Sequence, residues 1–247
     1  MLRDRLEAMR PSLMEQDTDK KSELLENVTL FAGLGGMEIR SLAEVAMVRH
    51  VSIDTIILLA AEEGDTLFVI VNGRVKVTVM SEDGREVILS ILKAGDIFGE
   101  MSLLDGKPRS ASVISTEETE VIMLRRPDFL ARLTTNPEMA TKMLATLASR
   151  LRRTNRQVES LALLNVYGRI AGTLLQLAED QGVVTKQGIT IPERPIHQEI
   201  ANMAGTTRET VSRVLTDLER RGYVIRDGRS IAIQDADRLR EDFFHLS

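Results

Sequence analysis

The sequence predicts an α+β chain: an antiparallel β roll of jelly-roll type, then one long helix, then a helical C-terminal part that ends in a hairpin. Three observations predict it. Between Ser52 and Leu124 apolar and polar residues alternate, and turn signals recur at near-regular spacing at Gly64, Asn72-Gly73, Asp83-Gly84, Gly95-Asp96 and Asp105-Gly106. From Asn136 to Leu164 the apolar residues recur instead in steps of three and four. After Asn165 a helical pattern resumes and closes on Asp227-Gly228 between two short β-branched runs.

Residues 1–24 mix charge with a few apolar positions and contain Pro11, which predicts a short helix and a mobile link. Residues 27–51 read as helical, broken at Gly33-Leu34-Gly35-Gly36. The runs 67–71, 74–79, 87–91 and 120–124 are strands of the roll, and 127–134 forms a short helix. The long helix has a marked start: Asn136 caps it, Pro137 suits its first turn, and Glu138 favours the positive end of its dipole. It extends roughly 40 Å at about 1.5 Å per residue. Along it Leu144, Leu147, Leu151, Val158 and Leu161 form an a/d stripe interrupted by Thr154, which predicts a coiled-coil seam, either with a second helix of a homodimer or within the chain's own domain.

Val166, Ile170, Leu174, Leu175 and Leu177 mark a further helix, and 188–192 an extended piece. Helices over 196–203 and 207–220, joined by Ala204-Gly205-Thr206 and followed by a hairpin over 223–233, make a winged helix-turn-helix. The expected divisions are an extension over 1–24, the roll over 25–135, the long helix over 136–164 and the winged part over 165–247.

Composition excludes several function classes. There is no Cys, hence no disulfide framework, thiolate-ligated cluster or thiol sensor. No apolar run reaches the roughly 18 residues of a membrane span and the start of the chain is charged, so a soluble cytoplasmic protein is expected. His50, His197 and His245 offer no cluster in the β region, which argues against haem and against a cupin-like metalloenzyme. No Gly-x-Ser-x-Gly context suggests a hydrolase. An enzyme is therefore not expected, and neither is a metal or cofactor.

The most informative stretch of the roll is Phe98-Gly99-Glu100-Met101-Ser102, continuing to Arg109-Ser110-Ala111. Gly99 permits close backbone approach, and Glu100, Met101 and Ser102 can open a short helix whose N–H groups face an anion. Arg109 could supply a fork of donors to the same phosphate, with Glu100 accepting from a sugar hydroxyl. A structural ion pair between Glu100 and Arg109 accounts for the spacing equally well. In the C-terminal part Thr206 and Glu209 have capping-box spacing. Arg208, Ser212 and Arg213 are not explained by that box, and they lie where a helix-turn-helix presents side chains to the major groove. Residues 206–230 hold six arginines against four carboxylates, a local charge of +2 in a chain of −5.

The first stretch resembles the phosphate-binding cassette of cyclic-nucleotide-binding domains, whose F-G-E and R-S-A stand here as Phe98-Gly99-Glu100 and Arg109-Ser110-Ala111. Gln198-Glu199-Ile200-Ala201, Ala204-Gly205 and residues 207–215 resemble the DNA-binding motif of the CRP/FNR family of bacterial transcription regulators. Both motifs stand in that family's order on either side of the long helix. The resemblance implies a transcription regulator that responds to a cyclic nucleotide, cyclic AMP first, and acts as a homodimer on a near-palindromic DNA site. Arg109 and Ser110 would bind the phosphate, and Gly99 and Glu100 the ribose. Adenine would lie against Thr154 and Asn155, where the family often has Thr-Ser; Asn155 departs from that pair. Arg208, Glu209 and Arg213 would read bases, and Thr207 and Ser212 would touch phosphates, with His197 counted among the DNA contacts. A second departure is Ile53-Asp54-Thr55, where the family has a glycine-containing turn. Activation would also require a surface for RNA polymerase. Cyclic di-GMP as effector, or DNA binding without a ligand, are the alternatives on the same scaffold.

Overall fold

The structure, a computed structural model, describes residues 17–243. Its chain divides into two compact units, one of the residues up to Val79 with Ser90–Ser149, the other of Met80–Leu89 with the residues from Arg150 onward. The short helix and link expected near the N-terminus fall largely on residues 1–16, outside the described residues, while 17–26 form helix α1.

A 3-10 turn at Thr29–Phe31 and helix α2 (Gly36–Val45) lead into the roll. Its strands are β1 (Met47–Val51), β2 (Ile56–Leu58), β3 (Thr66–Asn72), β4 (Arg74–Met80), β5 (Glu86–Lys93), β6 (Ile97–Phe98), β7 (Ser112–Ser115) and β8 (Thr119–Arg125), with helix α3 (Glu100–Asp105) after β6. They form two antiparallel sheets ordered β1-β8-β3-β6 and β2-β7-β4-β5. Helices α4 (Arg126–Thr135) and α5 (Pro137–Leu163) follow.

Strand β3 shows how the layers assemble. Phe68 and Ile70 point between the sheets, where they meet Val75, Phe98 and Val113, and the Phe68 and Phe98 rings stack at 4.9 Å. Leu67 and Val69 point the other way, onto Phe31, Leu42, Phe129 and Met143 of the helices. Both faces of this sheet are covered, so β3 reads as a continuous apolar run with little polar alternation. Each fully buried side chain of that size contributes about 1.5–3 kcal/mol relative to exposure.

Residues 47–51 are a strand, where the sequence reading expected helix. The helix ends at Val45 because Ala46 is extended, and β1 then pairs along β8 from Met47 opposite Met123 to Val51 opposite Thr119. Pairing with a neighbour decides such a short segment over its own periodicity. The long helix begins as expected: Asn136 Oδ1 accepts from the Met139 amide at 2.9 Å. Its first turns bury Met139 and Met143 in the roll's core.

In the second unit Asn165 caps helix α6 (Val166–Gln181), its Oδ1 accepting from the Gly168 amide at 3.0 Å. Next come β9 (Val183–Thr185), β10 (Gly188–Ile191), α7 (His197–Ala204), α8 (Arg208–Arg220), β11 (Val224–Asp227), β12 (Ser230–Ile233) and α9 (Ala236–Phe243). The hairpin β11–β12 belongs to a four-stranded sheet ordered β11-β12-β10-β9. Val211, Val214, Leu215 and Leu218 give α8 one fully buried stripe against Ile170, Leu174 and Ile231. Strand β9 and helix α9 were not read from the sequence. The cap of α8 is also displaced by one residue. Thr207, where Thr206 was expected, accepts from the Thr210 amide at 3.3 Å, because Gly205 ends α7 in the left-handed region and Thr206 belongs to the turn.

Candidate functional site

In the first unit the residues of the cassette converge on Arg109. Its side chain is 6 % exposed, and its guanidinium donates from Nη1 to the Gly99 carbonyl at 2.7 Å and from Nη2 to the Thr66 carbonyl at 2.9 Å. Two glycines make the slot. A Cβ added at Gly64 would lie 2.2 Å from Arg109 Nε, and one at Gly99 would lie 2.8 Å from Nη1 and 2.9 Å from the Thr66 carbonyl oxygen. Gly99 also needs its freedom, with φ at +81°. The backbone on either side is tied as well, the Arg109 amide to the Glu62 carbonyl and the Ala61 amide to the Arg109 carbonyl, both at 2.8 Å.

Burial lowers the Arg109 pKa, and the carboxylates of Asp65 and Glu100 oppose that shift. An arginine stays charged under such opposing effects, so the pocket holds a fixed cation. Glu100 and Ser102 are buried in the first turn of α3, and Met101 is half exposed beside Ser110, whose hydroxyl lies 3.5 Å from the Met101 sulfur. The structure thus brings Arg109 together with Gly99 and Glu100, and Ser110 together with Met101, with Ser102 buried in the same short helix as Glu100. Gly64 was read there only as a turn signal. A glycine packed on a buried guanidinium leaves no separate sequence mark. The Ile53-Asp54-Thr55 turn keeps its left-handed residue, with Asp54 at φ +59°. Asp tolerates that region better than most residues, which is how the turn forms without glycine.

On the long helix Leu144, Leu151, Val158 and Leu161 are 55–66 % exposed, whereas Leu147 packs partly into the roll's core. Thr154 and Asn155 are exposed in the second unit, and the Thr154 hydroxyl donates to the Arg150 carbonyl at 3.1 Å.

The second unit assembles the other set. His197, Arg208, Glu209, Ser212, Arg213 and Thr216 line one open surface across α7 and α8. Thr216 was not foreseen there. The Glu209 pKa is lowered, by hydrogen bonds from its own amide and from Thr207 and by the charge of Arg208. That of His197 is lowered first by burial and then by Arg194, Arg226 and Arg208, so at neutral pH its ring is uncharged among cations. Arg226 of the wing grips Glu219 of α8, its Nε donating at 2.9 Å and its amide at 3.2 Å, which fixes the hairpin to the helix.

Residues 48–136 match the model of the cyclic nucleotide-binding domain, and residues 168–242 that of the Crp-like helix-turn-helix domain. A CRP-like cAMP-activated global transcriptional regulator of Mycobacterium tuberculosis is 33% identical over 217 residues, covering 88% of this chain and 97% of its own. The chain belongs to the CRP family. The cAMP-activated global transcriptional regulator CRP of Pasteurella multocida is 39% identical over 176 residues, 70% of this chain and 83% of its own. Among solved structures, a CooA mutant from Carboxydothermus hydrogenoformans aligns over 89% of this chain and 94% of its own, at TM-score 0.73 and 26% identity. As a CRP-family protein with both domains, this chain is a ligand-responsive, DNA-binding transcription regulator. Its cradle around Arg109 lies within the matched cyclic nucleotide-binding domain, and its surface around Arg208 within the matched helix-turn-helix domain. Among the described residues no helix is long and apolar enough to cross a membrane.

Proposed function

We propose that this regulator is a cytoplasmic homodimer switched by cyclic AMP. The roll over 25–135 takes the nucleotide, the helix over 136–164 pairs the subunits, and the winged part over 165–247 binds DNA. Arg109 and Ser110 hold the cyclic phosphate, with the Met101 and Ser102 backbone beside them, and Gly99 and Glu100 hold the ribose. Thr154 and Asn155 face the base. The observation that carries this reading is the buried Arg109 guanidinium, set between two glycines and braced by two carbonyls. Asp65 and Glu100 offset the burial of that cation only in part, and an anionic ligand would supply the further countercharge.

The exposed leucines and valine of α5 support a seam with a second copy. In that dimer the two α8 helices enter successive major grooves about 34 Å apart. Arg208, Glu209 and Arg213 then read base edges, while Thr207, Ser212 and His197 meet phosphates. Thr207 accepts the Thr210 amide on its hydroxyl oxygen and hydrogen-bonds Glu209, so its phosphate contact falls to the backbone amide at the helix start. The ligand acts by binding the DNA-competent arrangement more tightly. Activation by such a dimer also requires a surface for RNA polymerase.

The test is fluorescence anisotropy of a labelled duplex carrying TGTGA and TCACA half-sites, at fixed salt, with and without cyclic AMP. Cyclic AMP should tighten binding, and Arg109→Leu should remove the stimulation while the fold persists. Normal stimulation of that variant would overturn the phosphate assignment. Stimulation by cyclic di-GMP alone, or tight binding indifferent to both nucleotides, would replace the effector.

A further inference from the structure

We infer that Arg169 is the positioning residue that ties the recognition helix α8 to the end of α5, making the turn at Gly205 follow the packing of Leu161. The inference rests on the regulator reading above and concerns how its DNA surface is held.

Arg169 lies in the first turn of α6 and spreads its guanidinium over three carbonyls. Nη1 donates to Leu164 at 3.1 Å, Nε to Ala204 at 2.9 Å and Nη2 to Gly205 at 3.4 Å. Leu164 directly follows α5, and Ala204 and Gly205 end α7 just before α8. Helix C-termini expose unpaired carbonyls and carry the negative end of the dipole, so a cation shared by two of them joins the elements. A local cap would need one such bond, and this fork makes bonds to two separate helix ends.

Leu161 reaches the same turn from the other side. A Cβ added at Gly205 would stand 3.1 Å from Leu161 Cδ2, so that side chain already abuts the turn. The residue is 55 % exposed and is the last of the seam stripe, which makes its position dependent on what packs along α5. A cavity of about 150 Å³, lined by Arg156, Leu161, Arg169, Gly172, Met203 and Ala204, leaves room for Leu161 to shift. Gly205 is held at φ +61° with its amide on the Ala201 carbonyl, and Thr206 uses the same acceptor at 3.0 Å. Displacing this turn re-aims α8, whose first residue is Arg208.

Arg169→Lys in the full chain is the test, because lysine keeps the charge and loses the planar fork. DNA binding with and without saturating cyclic AMP is measured by anisotropy, together with cyclic AMP affinity, thermal unfolding and hydrogen exchange over 201–207. The expected result is a stimulation ratio reduced by about fivefold or more, unchanged nucleotide affinity and melting, and faster exchange at Gly205 and Thr206. Equal weakening of both states, with the ratio preserved, would make Arg169 a stabilising contact only and overturn the inference. If the wild-type chain does not respond to cyclic AMP, the effector reading fails. Arg169 is then judged by exchange and basal DNA affinity: faster exchange with weaker binding supports it, and unchanged exchange overturns it.

Discussion

Replacing Gly64 with alanine tests the cradle without touching any group that meets the ligand. The added methyl would lie 2.2 Å from Arg109 Nε and 2.4 Å from Cζ, where ordinary contact begins at 3.4 Å, so the guanidinium must retreat by about 1 Å. Its bonds to Gly99 and Thr66 are 2.7 and 2.9 Å long. Stretching either by about 1 Å carries it past the roughly 3.2 Å limit of an N–H···O bond. Each charge-assisted bond contributes about 1.5–3 kcal/mol. A pivot that saves one bond gives a loss of about 1.5–3 kcal/mol in the stability of the roll, and the misplaced cation should weaken nucleotide binding tenfold or more, since about 1.4 kcal/mol is one decade. Urea unfolding and calorimetric titration with cyclic AMP measure both. The decisive control is the double variant with Arg109→Leu. Leucine removes the guanidinium that the methyl collides with, so Gly64→Ala should cost much less in that background. An equal cost in both backgrounds, or wild-type binding by the single variant, would refute the steric reasoning.

Two further predictions concern the other surfaces. Leu151→Lys puts a charge into the exposed stripe of α5 and should leave a folded monomer in sedimentation velocity, with cooperative binding to the paired half-sites lost; an unchanged dimer would remove the seam. For His197 the sign follows from its depressed pKa, caused by burial and by the charges of Arg194, Arg226 and Arg208. The neutral ring is the favoured form in the folded chain, so its contribution to stability is complete above the ordinary histidine value of about 6.5 and is lost as pH falls below it. A DNA phosphate at that surface raises the same pKa, so binding takes up a proton and affinity should rise from pH 8 to pH 6 at fixed salt. His197→Gln should flatten that profile, and an equally steep slope in the variant would separate His197 from the DNA.

How far the sequence reached depends on whether a residue's partner lies nearby in the chain. Asn136 and Asn165 announce helix starts because the amides they cap are three residues on. The strands β3, β4, β5 and β8 fall close to their expected runs because turn glycines bound them. Met47–Val51 was misread because its strand character comes from β8, 68 to 76 residues away in register. Thr206 was chosen as a cap over Thr207 because two threonines in succession fit the same local pattern, and only the left-handed Gly205 separates them. The cassette residues were named from their motif, yet Gly64, which shapes the same slot from 45 residues before Arg109, was missed. Arg226 was counted as charge, and its grip on Glu219 is visible only once the wing folds onto α8.

A common device runs through three arginines of the chain. Arg109, Arg169 and Arg226 each use a guanidinium fork to join separate elements. Arg109 bridges two carbonyls of the roll, Arg169 three at two helix ends, and Arg226 a carboxylate on the recognition helix. These are different physical situations. Arg226 pairs with the Glu219 carboxylate and holds the wing, while its charge still acts on His197. The carbonyl partners bring no countercharge to Arg109 or Arg169, although the carboxylates of Asp65 and Glu100 act on Arg109 from beyond its hydrogen bonds. In the buried slot the cation remains available to an anion, and at the helix ends it opposes two dipoles whose alignment can change. Arg109 and Arg169 are therefore the positions at which an anion, or a shift in packing, finds a cation held only by carbonyl hydrogen bonds.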